Sequence, residues 1–286
     1  MMYLLLVTAS FLWGVNVLVM KYMLAHISIY TLAAMRVGIS FLCVYIVTKI
    51  KKEKLGVVDK KEAFKISVFS LTLNFIFTFW GMEYINGMNT AIMNALAPFV
   101  TIALSMILYH QAIKNSQKMA LLLALIGFGI SIQWNVAHIN KGHVLLWVGM
   151  FNYCYANICL QKSKSADHYL AFTSLYLWFG FLELLCLSFI FTPSAFRQLP
   201  QVPLFSWLVF FFISGIGFAY IQLVYLYAIK KIGSIHTSFF LSLNPVFTYL
   251  GSIFFLQEKF SFDTAIAFFI LIVALILVTI GKKEAA

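Results

Sequence analysis

Short polar connections cut the chain into ten apolar stretches, each close to the ~20 residues a helix needs to cross a bilayer. They run over 3–23, 28–48, 66–85, 88–109, 118–137, 143–161, 169–191, 204–228, 234–256 and 262–281. The connections leave no room for a soluble domain. Of the 286 residues, 63% are hydrophobic and 10% charged, against about 45–50% and about 25% in soluble domains. The mean hydropathy is +0.94. A soluble core cannot absorb that much apolar surface, and helices satisfy their own backbone groups in lipid. The expected fold is an all-α integral membrane protein with ten transmembrane helices.

A net charge of +11 in a soluble chain would point to nucleic acid, but here the charges alternate between connections. Fifteen of the 20 basic residues fall in one set of connections or at the C-terminus, among them Lys49, Lys61, Lys114, Lys162, Lys231 and Lys283. Four (Lys21, Lys141, Arg197 and Lys259) fall in the other set, and Arg36 lies within a span. Positive charge stays on the cytoplasmic side during insertion, so both termini are expected to be cytoplasmic. Contact with anionic lipid headgroups accounts for the basic connection 49–65, and no nucleic-acid partner is expected.

The chain is also written twice. With Pro98 laid on Pro245, 147 positions on, Ile85 falls on Ile232, Thr90 on Thr237, Thr101 on Thr248 and Ser105 on Ser252. Each copy is an apolar helix interrupted by one proline, which removes a backbone donor. Pro98 and Pro245 are read as hinges. Duplication at half length marks a protein made of two repeats around a shared site, here 1–137 and 138–286.

Polar residues inside spans are the candidates for that site. Asn16 and Asn157 stand at equivalent places in GVNVLVMK and YANICLQK. An amide without partners is costly in hydrocarbon, so they line a pocket or tie helices together. Arg36 and Glu183 are the charges well inside spans. Each is eight residues from the outer end of its helix, about 12 Å deep at 1.5 Å per residue. Pairing is therefore possible, the alternative being that each snorkels or finds its own polar neighbour. The third stretch adds Asn74, Thr78 and Trp80. In the fourth, Thr90, Asn94, Pro98 and Thr101 share one face, and Asn244, Pro245 and Thr248 repeat that chemistry in the ninth. Tyr220 in the eighth is read as a cavity wall. The fifth and tenth stretches are nearly pure aliphatic and are placed at the lipid-facing periphery.

Catalysis lacks its parts. Four cysteines lie in predicted spans without ligand spacing and are read as buried, inert thiols. The six histidines form no HExxH pattern, and the chain shows no Walker motif and no GxSxG. No catalytic residue, metal site or cofactor is expected.

At Trp13-Gly14, Asn16, Arg36, the stretch NTAIMNALAPFVT and the stretch SFFLSLNPVFTYLGSIFFLQE, the chain resembles the drug/metabolite transporter superfamily, specifically its ten-helix EamA-like branch. The resemblance covers essentially the whole length. It implies two inverted five-helix repeats in a bacterial cytoplasmic membrane, with a central cavity from helices 1, 3, 4, 6, 8 and 9 and with 5 and 10 outside. The chain departs from the pattern at Gln111, where the first repeat often has the acid that Glu258 supplies in the second. It also carries an unusual pair, Asn152 and Asn157, which the resemblance ties to substrate preference.

The resulting expectation is a secondary transporter of a small metabolite, an amino acid or nucleobase-like solute, working by alternating access with export favoured. Asn16, Asn94, Asn157 and Asn244 would hydrogen-bond the solute, Trp13, Trp80 and Tyr220 would wall it, and Asn74 and Asn152 complete the candidate set. Protons would be the coupling ion, through Glu183, in a monomer or homodimer. Broad drug efflux and an intramembrane lipid-modifying enzyme are the alternatives.

Overall fold

The computed structural model describes residues 2–110, 112, 114–163, 165–197, 199–241, 243–259 and 261–283. Gln111 and Ser242 lie outside the described residues, as do the side chains of Lys230, Ser238 and His236. Among the described residues the chain is helical without a strand. The helices are α1 (Met2–Leu24), α2 (Ile29–Ile50), α3 (Lys60–Met82), α4 (Gly87–Tyr109), α5 (Asn115–Ser131), α6 (Lys141–Lys162), α7 (Tyr169–Phe191), α8 (204–241), α9 (Asn244–Phe255) and α10 (Phe262–Lys283). Seven helical stretches, α1 to α4, α6, α7 and Leu204–Ala228 of α8, are long and apolar enough to cross a membrane. Phe262–Leu277 of α10 is a shorter apolar stretch.

Short polar side chains start several helices by accepting from the first free backbone N–H groups. Ser28 caps α2, Asp59 caps α3, Asn86 caps α4 and Asn140 caps α6. Several boundaries differ from the sequence reading, the third helix beginning at Lys60 and the ninth at Asn244. The fifth stretch, expected to reach 137, ends at Ser131, where Gln133 and Trp134 turn left-handed. The connection expected between 228 and 234 is helical, and α8 runs on to Leu241. Position 233, the counterpart of the capping Asn86, is a glycine, so that capping side chain is missing. Cys186 also departs from expectation by lying at the surface.

Equivalent helices of the two halves run antiparallel. Thr31 near the start of α2 bonds Ser188 near the end of α7 at 2.7 Å, and Thr48 near the end of α2 donates to the carbonyl of Leu170 at the start of α7. Gln133 after α5 bonds Asp263 at the start of α10. The first residues of α4 meet Glu258, just past α9.

The apolar packing follows these pairs, not the halves. One buried cluster is built mainly from α2, α3, α7 and α8 with part of α1. A second is built from α4, α5, α9 and α10 with part of α6. Each core therefore draws on both copies of the repeat. Large side chains such as Ile50, Phe191, Phe205, Phe254 and Phe255 stay more than half exposed on the outside, the surface a bilayer covers.

Candidate functional site

Two helices depart from α geometry in the same place. Residues Val68–Leu73 of α3 and Phe210–Ile216 of α8 are π-helical, a distortion frequent at functional sites. Polar side chains serve the loosened backbone. Asn16 donates to the carbonyl of Ile213 at 3.0 Å, Ser40 to that of Gly215 at 2.7 Å, and Asn74 to that of Ser70 at 3.1 Å.

Both buried charges stand beside these stretches. The α2–α7 contacts, with Gly38 against Phe181, set a register in which Arg36 and Glu183 lie level. They do not pair. Glu183 accepts from Ser67 at 2.5 Å and from Thr72, leaning toward the start of α3. Arg36 leans the other way, 5% exposed, with its guanidinium carbon 4.1 Å from the ring centre of Phe218, 4.6 Å from Phe75 and 5.9 Å from Phe79. Each charge has found its own neighbours on α3.

A small polar pocket opens next to them, between α3, α6, α7 and α8. Ser70, Tyr153, Asn157, Tyr176, Gln222 and Tyr225 line it, and it has room for about one water molecule. Asn157 stands one turn after Tyr153 on α6, and the Trp13 and Tyr153 rings meet edge to face at 6.0 Å. The pocket thus joins both repeats and carries three phenols and two amides.

Of the candidates read from the sequence, the structure gathers Asn157, Trp13, Arg36 and Glu183 in or around this region. Asn16 and Asn74 are close by but bond to backbone. The others lie elsewhere. Trp80 faces the Lys141 ammonium, 4.5 Å from its ring centre. Tyr220 bonds Thr8 of α1 at 2.8 Å, and Asn152 turns back on the carbonyl of Val148 in its own helix. Asn94 and Asn244 flank the proline breaks. There Leu96 (φ −79, ψ −15) and Leu243 (φ −77, ψ −18) take nearly the same turn. The carbonyl of Asn244 lies where a Cβ on Gly14 would come within 2.8 Å, so α1 and α9 meet backbone to backbone.

Sequence reasoning missed Tyr153, Tyr176, Gln222 and Tyr225 as pocket residues, and Phe75, Phe79 and Phe218 as the wall around Arg36. One signal was present. Arg36 stands seven residues after Ile29 and Tyr176 seven after Tyr169, so the phenol is the repeat counterpart of the charge. Among the described residues no cluster of histidine, cysteine and carboxylate side chains is arranged to hold a metal.

Comparison with known proteins agrees with this architecture. The sequence profile of the EamA-like transporter family matches residues 1–133 and again 140–280. An uncharacterised transporter, YetK of Bacillus subtilis (strain 168), is 23% identical over 295 residues, covering 99% of this chain and 88% of that protein. A solved crystal structure superposes with a TM-score of 0.68 at 15% identity, over 99% of this chain and 97% of that one, a likeness of fold. A multi-pass membrane chain whose two halves each match the same profile belongs to the EamA-like transporter family.

Proposed function

We propose that this membrane transporter is a secondary carrier that moves a small metabolite, an amino acid or nucleobase-like solute, across a bacterial cytoplasmic membrane by alternating access. The observation that carries the reading is the pocket of Tyr153, Asn157, Tyr176, Gln222 and Tyr225. It lies between helices of both repeats, where inverted-repeat carriers place their substrates, and its phenols and amides suit a small polar or aromatic solute. In this reading residues 1–137 and 138–286 are inverted five-helix repeats, ten helices span the membrane with both termini cytoplasmic, and the protein acts as a monomer or homodimer. Export is the favoured direction. Pro98 and Pro245 are the hinges, supported by the matching turns at Leu96 and Leu243.

The test is a thermal-shift screen of the purified protein against amino acids, nucleobases, vitamins and lipophilic cations, followed by liposome flux of the hits. Ligands that bind the folded state raise its apparent stability. One narrow class of hits, weakened at least tenfold in Asn157→Ala and Tyr225→Phe, is the expected result. Weak shifts from many unrelated cations would instead indicate broad drug efflux. Hits without flux, accompanied by turnover of lipid, would indicate an intramembrane enzyme. Proton coupling is assigned to Glu183, whose hydroxyl partners on α3 can hold it protonated or ionised. Glu183→Gln should abolish pH-driven uptake while leaving solute exchange intact.

A further inference from the structure

Arg36 is held by aromatic faces and by no counter-charge. Its side chain is 5% exposed, its Nε is buried without a hydrogen-bond acceptor, and among the described residues no carboxylate pairs with it. Desolvated cation–π contacts help to offset the cost of burying an unpaired ion. Ring faces nevertheless offer no lone pairs, and a guanidinium carries five N–H donors in one plane. The cage stabilises the charge and, among the described residues, leaves Nε without an oxygen partner.

The position of the cage bears on what the guanidinium can bind. Phe75 and Phe218 each stand two residues beyond the π-helical stretch of their own helix. They hold the same position relative to that stretch, and their rings meet at 5.6 Å. Arg36 sits against a place where the two halves of the chain touch. The cage also stands about one turn from residues that line the pocket. Phe218 and Gln222 are one turn apart on one face of α8, and Ser70 and Phe75 are five apart across the π turn of α3. The walls that carry the phenols and amides thus carry the cage one turn further on.

We propose that Arg36 anchors the carboxylate of the transported solute, which is a compound with a single carboxylate and a small aromatic or polar body lodged against Tyr153, Tyr176 and Tyr225. This rests on the transport reading and narrows its substrate class. A carboxylate supplies two in-plane oxygens to the guanidinium fork, the geometry in which arginine is strongest. The phenylalanine rings flank the head group, and the single positive charge of the site favours a monoanionic or zwitterionic solute.

The experiment compares matched probes on the detergent-purified protein: nicotinate with nicotinamide, 4-hydroxybenzoate with its amide, and phenylalanine with phenylalaninamide. The expected result is that at least one carboxylate stabilises the protein and its amide binds at least tenfold more weakly. That discrimination should be lost in Arg36→Gln and partly kept in Arg36→Lys. Arg36→Met guards against misfolding, because the cage can absorb a thioether; it should stay folded yet lose carboxylate binding. Equal binding of acids and amides, undiminished in Arg36→Met, overturns the carboxylate anchor. So does silence from every carboxylate tested on folded protein. Liposome flux separates the two levels. Neutral solutes carried at full rate by Arg36→Met sink the anchor and leave transport standing, whereas no flux of any bound compound sinks the transport reading itself.

Discussion

The two larger buried cores have the same plan and different chemistry. The core of α2, α3, α7 and α8 holds Arg36, Glu183, both π-helical stretches and most of the pocket lining. The core of α4, α5, α9 and α10 holds both proline breaks, and its carboxylate contacts among the described residues are at helix ends. There Glu258 accepts from the backbone N–H groups of Gly87 at 2.6 Å and Met88 at 2.9 Å, while Lys21 donates to the carbonyls of Met82 at 3.0 Å and of Ile85. A carboxylate on the first free donors of a helix, and an ammonium on the last carbonyls of another, complement the two helix dipoles. Charge in the second core thus closes backbone ends, whereas charge in the first is held by side chains beside a pocket. In the proposed function the first core is the working part and the second its scaffold.

That contrast predicts a separation of stability from selectivity. The largest effect in the scaffold core is expected from Glu258→Ala, which orphans two backbone donors. Charge-assisted bonds of this kind contribute about 1.5–3 kcal/mol each, and a loss of about 3 kcal/mol in denaturant titrations, with solute preference unchanged, is the expected outcome. A changed solute preference would break the comparison. Next comes Gly87→Ala, whose added Cβ would lie 3.2 Å from Oε1 of Glu258 and against the Ser252 hydroxyl. Overpacking of this kind costs about 1–3 kcal/mol, and the double variant Gly87→Ala with Ser252→Ala should recover part of it. Asn86→Ala removes the cap on α4, where Asn86 accepts from the N–H of Asn89 at 2.8 Å. It should cost about 1 kcal/mol, read as a lower melting temperature.

The smallest effect concerns Glu83, in the same turn but outside the helices. Burial pushes its carboxyl above the usual carboxylate range, against the opposing pull of Lys141. The folded state therefore binds this proton more tightly than the unfolded chain, and the stability so gained is lost as pH rises through the raised folded value. Glu83→Gln should flatten that loss. Melting curves of the two proteins should diverge as pH falls toward the carboxylate range, with wild type gaining on the variant.

Much of the architecture was legible because it rests on counting. Apolar length marked the helices, with most observed ends within a few residues of those expected, and the 147-residue offset located both proline breaks, down to the matched turns at Leu96 and Leu243. The candidate site was legible in part. Asn157, Trp13, Arg36 and Glu183 stood out as costly groups in apolar surroundings. Trp80 and Tyr220 stood out equally, yet one faces Lys141 at a helix end and the other serves α1. The pocket residues of α8, Gln222 and Tyr225, were hidden for a geometric reason. Reading a helical face assumes 3.6 residues per turn, and each residue inserted by a π turn rotates the face beyond it by about 100°. Nothing in VFSLTL or FFFISGI announces that turn.

Hydropathy and duplication determined, from the sequence alone, that this is a two-repeat helical membrane protein with polar groups buried in its spans. The tertiary structure alone decided that the cores mix the two repeats, that Arg36 and Glu183 stand level without pairing, and that three tyrosines line one pocket. The reason is that apolar length and period are properties of each segment, whereas a partner's identity depends on how antiparallel helices register and where their backbone unwinds.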